Sequence, residues 1–345
     1  MKLFVTLTLL ALFIGSGYAA EVEYWKGDEP RRPRIRLASS PYPNILFKRL
    51  DQMEFGEHHY RPDWRPWKTR EISRGHFYTR RGGFIDLSHL RKTVDWAAYF
   101  QGVLYTALTN GESRIVIKGS EPSLYHIDFK VPDLPHLSAE EQDDFYKELS
   151  IQAGLQLSFT ALTWHEILTW YGFSALRVLS EKSSAFSYED MYTHAVGIAV
   201  AEQALRNNEL PYNQAVTVAL TSEVAKLEPL DGSGTQDALN RVHESWWRYQ
   251  RTLKRATDIG ESGYVAPLLV PGLEHEDPAM YPAPVLTCFM GVELSECITV
   301  DIQPVHKAGK FIASMVGRES GMVNPIEDFS MIMTNIRSEG APGRH

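Results

Sequence analysis

Apolar positions in the middle of the chain recur at helical spacing. Leu90, Val94, Ala97, Leu104, Tyr105 and Leu108 fall on steps compatible with one face, with Ser88 placed as an N-cap, which predicts a helix over 89–108. Arg114–Lys118 and Tyr125–Lys130 alternate or carry β-branched residues around Gly119, Ser120 and Pro122, the pattern of a hairpin. Ser138 followed by Glu141 is a capping-box signature and opens a second helical region, which reaches Tyr171 with a break expected near Gly154. A similar signal at Ser187 and Asp190 starts a third helix through Leu205, and two more are expected over 213–227 and 236–255. From Tyr264 the chain turns Pro-rich and then strand-like, best over 285–290 and 297–302. The expected fold is therefore α+β, mainly a helical core with a small antiparallel sheet formed by the 114–130 hairpin and the C-terminal strands.

The ends read differently. Met1 to Ala19 carries one early positive charge, Lys2, then an apolar run over residues 3–14 that is too short for the roughly 20 residues a spanning helix needs. A cleaved signal peptide over residues 1–19 is expected, with Gly17 at the minus-three position, so the product is periplasmic or secreted and not membrane-spanning. Residues 20–81 are rich in Pro, Arg and aromatics, which block long helices and predict an extended arm packed on the body, its Arg31, Arg32, Arg34 and Arg36 solvated. Residues 82–260 then form the helical core, 261–335 a Pro-rich and strand-forming part of the same domain, and 336–345 a flexible tail.

Composition narrows the function more by exclusion than by indication. With 43% hydrophobic residues the chain can bury a sizeable core, and a formal charge of −8 argues against nucleic acid or an anionic membrane as partner. The two cysteines, Cys288 and Cys297, flank Gly291 and in an oxidising compartment are expected to close a cross-strand disulfide. No GxSxG elbow, Gly-rich phosphate loop or Cys-rich metal cluster occurs.

Chemistry is carried by three polar constellations in apolar surroundings. In LSFTALTWHEILTWY the helix is apolar almost all round yet holds His165 and Glu166, and a carboxylate there needs a partner or a metal. The pair resembles the start of an HExxH zinc helix, but Thr169 stands where the second histidine belongs, so that motif fails. In GGFIDLSHLRKTVDW, Asp86 and His89 are three apart and share a face if the helix reaches back to Asp86, whereas Arg91 and Asp95 are four apart and can pair on another. The bland account makes Asp86 or Ser88 a cap and Arg91 with Asp95 a surface ion pair. In SYEDMYTHAVG, Asp190 and His194 are four apart, and capping explains Asp190. His58, His59 and His275 lie in Pro-rich stretches and read as exposed loop charge.

At GGFIDLSHLRKTVDWAAY, TWHEILTWYGF and FSYEDMYTHAVG, over roughly 82–197, the chain resembles an uncharacterised family of exported bacterial proteins, domain of unknown function 4056. The resemblance implies no activity, but it implies that these segments form one unit. The family's last phrase has asparagine where His194 stands, which weakens a ligand role for that histidine.

Two classes of function fit. In the first, a hydrolase acts on a cell-envelope component, with His89 and His165 as base or metal ligands, Glu166 and Asp86 as acid, base or ligand, Arg91 as a donor, and a divalent metal assisting. In the second, a non-catalytic envelope protein uses the same groups only to lock its helices. The enzyme reading expects Asp86, His89, His165 and Glu166 to converge on one open cleft, the non-catalytic reading four separate, closed-off contacts.

Overall fold

A computed structural model describes residues 31–34, 36, 39–43, 47–60, 71–174, 181–249 and 251–339. The expected signal peptide, Trp64, Trp67 and residues 340–345 lie outside these.

In chain order, β1 (His76–Thr79) and β2 (Gly83–Asp86) form a hairpin that runs straight into α1 (Leu87–Thr109), followed by β3 (Arg114–Lys118), β4 (Ser123–Phe129) and α2 (Ala139–Trp170). Then come α3 (Asp190–Leu205), α4 (Tyr212–Lys226), α5 (Gly232–Arg241) and the short strands β5 (Trp247–Arg248), β6 (Arg251–Thr252), β7 (Tyr264–Val265) and β8 (Tyr281–Pro282). The chain finishes with β9 (Cys288–Phe289), β10 (Val292–Glu293), α6 (Leu294–Cys297), β11 (Ile298–Pro304), α7 (Lys307–Val316) and α8 (Pro325–Glu339).

The α+β expectation holds: β11 pairs antiparallel with β4, which pairs with β3, so the hairpin and the C-terminal strand share a three-stranded sheet beside a helical core. The capping box is present in full, with Ser138 N–H donating to Glu141 Oε2 at 2.8 Å and Glu141 N–H to Ser138 Oγ at 3.2 Å.

The α1 helix is the centre of the fold and packs mainly on α2 and α3. Apolar α1 residues such as Leu90, Val94, Phe100 and Leu104 are wholly buried, and so is Trp164 of α2, whose indole N–H donates to Ser123 Oγ at 2.9 Å. No break occurs at Gly154; the glycine instead lets two helices touch, because a Cβ there would lie 2.7 Å from the Gln101 backbone nitrogen. Gly197 does the same between α3 and α1, where a Cβ would meet Thr93 Cβ at 2.7 Å. No described helix is long and apolar enough to cross a membrane.

Several expectations need correction. The helix expected over 236–255 ends at Arg241, and the chain then turns into the β5–β6 hairpin. The strand expected over 285–290 shrinks to Cys288–Phe289, and α7 and α8 were not foreseen; α8 runs into the stretch read as a tail. Cys288 and Cys297 are free thiols. Cys288 pairs with Glu293 across the β9–β10 turn, and Cys297 is carried past that hairpin by α6, so the spacing does not bring the two sulfurs together.

Of the arm's arginines, Arg31 and Arg34 are exposed as expected, but Arg36 and Arg32 are not free in solvent. Arg36 is buried and binds Asp95 Oδ2 at 2.6 Å and Glu71 Oε1 at 3.0 Å, while Arg32 lies over the Trp96 ring. His58, expected in an exposed loop, is wholly buried, 3.1 Å from Asp95 Oδ1.

Candidate functional site

Two helix starts converge at the site. Asp86 ends β2 and caps α1: its Oδ1 accepts from Ser88 N–H at 2.9 Å, and the Ser88 hydroxyl contacts both its oxygens at 2.9 Å. A carboxylate is favoured there because the helix presents unpaired N–H groups and the positive end of its dipole. The hairpin register sets His76 directly opposite Asp86, with His76 Nε2 4.0 Å from Asp86 Oδ2. From the other side α3 brings Glu189, its N-cap residue, and Asp190, its first residue. The Ser187 hydroxyl contacts Glu189 Oε2 at 2.7 Å and Asp190 Oδ2 at 2.8 Å, and Ser187 N–H donates to the same Asp190 oxygen at 2.6 Å.

One oxygen of Glu189 and one of Asp190 are thus held by Ser187, and the other oxygens face imidazoles. Glu189 Oε1 lies 3.3 Å from His76 Nε2, and Asp190 Oδ1 lies 3.0 Å from His89 Nδ1, which is also 3.7 Å from Asp86 Oδ2. Asp86, Glu189, Asp190 and His76 are buried, whereas the His89 side chain keeps 17% of its exposure.

The α2 helix supplies the remaining groups. Glu166 Oε2 accepts from Phe186 N–H at 2.9 Å, in the segment that leads into α3. Burial and the neighbouring Asp190 push its carboxyl up to about 8, against the opposing pull of His89 and Lys92. Burial, with Lys92 and His89 nearby, holds His165 well below the usual imidazole range and therefore neutral. For His89 burial opposes ionisation, but Asp86 and Asp190 outweigh it and raise the imidazole to about 10; His76 is raised for the same reason by Asp86 and Glu189. Burial and the adjacent Glu189 raise Asp190.

His194 sits beside His89, ring centroids 5.4 Å apart, with Nδ1 3.1 Å from Thr93 Oγ. That hydroxyl donates its one proton to the His89 carbonyl at 2.8 Å, so the tautomer assigned to His194 carries its proton on Nδ1.

The first two constellations therefore lie within electrostatic reach of each other, His89 of α1 acting on both Glu166 and His165 of α2. Arg91 does not join them. It lies on another face of α1, bound to Glu71 Oε1 at 3.0 Å, His58 Nδ1 at 2.9 Å and the Phe55 carbonyl at 2.9 Å, so it cannot reach the cluster. Arg91 and Asp95 are buried and each pairs mainly with the arm, not with the other on the surface. Missed by the sequence reading were His76, Glu189 and Lys92. A TRRGG turn between HFYT and GFID would have revealed the hairpin and placed His76 opposite Asp86.

Among the described residues, metal-ligating atoms fall into two sets, His76 with Asp86 and Glu189, and His89 with Glu189 and Asp190, each mutually within 4.8 Å. Of the expected ligands, Asp86 belongs to the first set and His89 to the second; His165 and Glu166 stand beside them. Carboxylate and imidazole together suit zinc, manganese or iron(II). Two surface depressions, one around Asp51, Asp231 and Gln236 and one around Leu155, Ile198 and Tyr281, lie away from the cluster. The partly exposed His89, Lys92 and His165 form its edge toward solvent.

Comparison with curated proteins and with solved structures gives no match. The family described as "Protein of unknown function (DUF4056)" matches residues 35–257, which take in the arm from residue 35 on, the α1–α5 helices and every residue of the cluster, and the chain belongs to it.

Proposed function

We propose that the protein is an exported hydrolase that acts on a cell-envelope component with assistance from a divalent metal. The observation that carries this reading is the convergence of three buried carboxylates, Asp86, Glu189 and Asp190, on imidazoles with no arginine or lysine salt bridge to any of them among the described residues. Buried carboxylates in such number are costly unless a cation compensates them. In this reading the cluster holds the metal and polarises the scissile group or a water. Glu166, protonated at neutral pH, supplies a proton to the leaving group, and neutral His165 accepts one from the attacking water. Lys92 orients the substrate from the rim. The apolar run over residues 3–14 supports export.

The test is incubation of purified protein, supplied with zinc or manganese, with peptidoglycan fragments, envelope peptides and phospholipid vesicles, products being read by mass spectrometry. Hydrolysis of one class, abolished by Glu166→Gln in a protein that still melts cooperatively, is expected. Absence of hydrolysis in all three classes would remove the enzyme reading.

One observation favours a second reading. Asp86, Glu189, Asp190 and His76 are all buried, as they would be in a non-catalytic envelope protein where these groups only fastened the β1–β2 hairpin and α3 to α1. In that case Glu166→Gln, which keeps an oxygen for the Phe186 N–H, changes no reaction.

A further inference from the structure

We propose that the cluster is built for two divalent cations side by side with Glu189 shared between them, an inference that rests on the reading that the cluster binds metal. Nitrogen and oxygen ligands sit roughly 2.0–2.2 Å from such an ion, so two ligands of one ion are at most about 4.4 Å apart. The five donors form two sets of three and not one set of five. His76 Nε2 faces Glu189 Oε1 at 3.3 Å and Asp86 Oδ2 at 4.0 Å; His89 Nδ1 faces Asp190 Oδ1 at 3.0 Å. Asp86 Oδ2 is also 3.7 Å from His89 Nδ1, so this carboxylate stands between the two imidazoles as Glu189 stands between the two sets. Shared carboxylates are how paired ions are held about 3.5–4 Å apart.

A separate observation points to a ligand. Asp190 is 2% exposed and its Oδ1 has no hydrogen-bond partner, although His89 Nδ1, equally unpartnered, is 3.0 Å away. The two atoms lie at bonding distance but out of hydrogen-bond alignment, which leaves a buried carboxylate oxygen open to a ligand. The serines complete the arrangement: Ser88 holds Asp86, and Ser187 holds the far oxygens of Glu189 and Asp190, the outer-shell contacts that orient ligating carboxylates.

The experiment titrates metal-free full chain with zinc by calorimetry and elemental analysis, and with manganese by electron paramagnetic resonance. Two ions per chain and an exchange-coupled manganese signal are expected, with one ion left in Asp190→Asn and in His76→Ala and the coupling lost in Glu189→Gln. One ion per wild-type chain overturns the paired site and leaves the metal-assisted reading standing. No ion removes both. Two ions without coupling place the second elsewhere and also overturn the proposal. Should a variant fail to fold by circular dichroism, the wild-type count and coupling decide.

Discussion

Two buried polar clusters flank α1, and they are built on opposite principles. On one face Arg36 and Arg91 meet Glu71 and Asp95, with His58 between them; burial and both arginines hold that imidazole below its ordinary range, so two positive charges match two negative ones. At the helix start three carboxylates meet only imidazoles, with Glu166 close behind. Local geometry does not separate them: His58 Nε2 and Asp95 Oδ1 are 3.1 Å apart and out of hydrogen-bond alignment, much as His89 and Asp190 are. Charge does. A balanced buried network fixes a fold, whereas an unbalanced one calls for a further cation, and the first cluster accordingly ties the arm to the body while the second is the candidate site.

The largest expected effect breaks the balanced cluster. Arg36→Met leaves Asp95 and Glu71 short of a buried partner and should cost about 3–5 kcal/mol in urea denaturation. A loss below about 1 kcal/mol would mean that the arm network is not a brace.

The opposite sign is expected at the site. Asp190→Asn removes a carboxylate that burial and Glu189 already disfavour, and keeps an oxygen for the Ser187 N–H. Metal-free protein should gain about 0.5–2 kcal/mol, as strained functional sites do when relieved, while hydrolysis is lost. Destabilisation of the metal-free form would make the two clusters alike.

A smaller effect separates them by pH. Folded His58 stays neutral where the unfolded imidazole already binds a proton near 6.5, so that contribution falls as pH drops below 6.5. Folded His89 keeps its proton up to about 10, so its contribution is complete below 6.5 and is lost as pH rises from there through about 10. Denaturation of metal-free protein at pH 5, 7 and 9 should show His58→Asn flattening only the acid side and His89→Asn only the alkaline side. Either variant flattening the other's limb would contradict the assignment.

The smallest effect concerns the thiols. Exposed Cys288 should react at once with a thiol reagent, and buried Cys297 only on unfolding. A native protein with no reactive thiol would restore the disulfide.

How much of this was legible in the sequence follows from how local each signal is. The α1 helix, the Ser138 cap and the 114–130 hairpin depend on neighbours in the chain, and their patterns placed them. Asp86, His89, His165 and Glu166 were recognisable because a carboxylate in an apolar run asks for an explanation. Arg91 was misassigned because the groups that claim it, Glu71 and His58, are twenty and thirty-three positions upstream, and no periodicity reports such a contact. His76 escaped because β1 and β2 are buried throughout and show no alternation, and Glu189 because Asp190 beside it already satisfied the capping pattern. Gly154 was read as a helix breaker although its missing side chain serves the neighbouring helix.

That last feature reaches the site as well. At Gly197 α3 brings no side chain of its own, so its main chain lies directly on the Thr93 side chain and the Leu90 carbonyl of α1, and the same Thr93 holds His194. A one-residue slip of α3 would drive a side chain into that crossing, so the alignment has a single setting, like a key in its ward. Asp190 and His89 ride on those same rods, and their separation is gauged by that one close crossing.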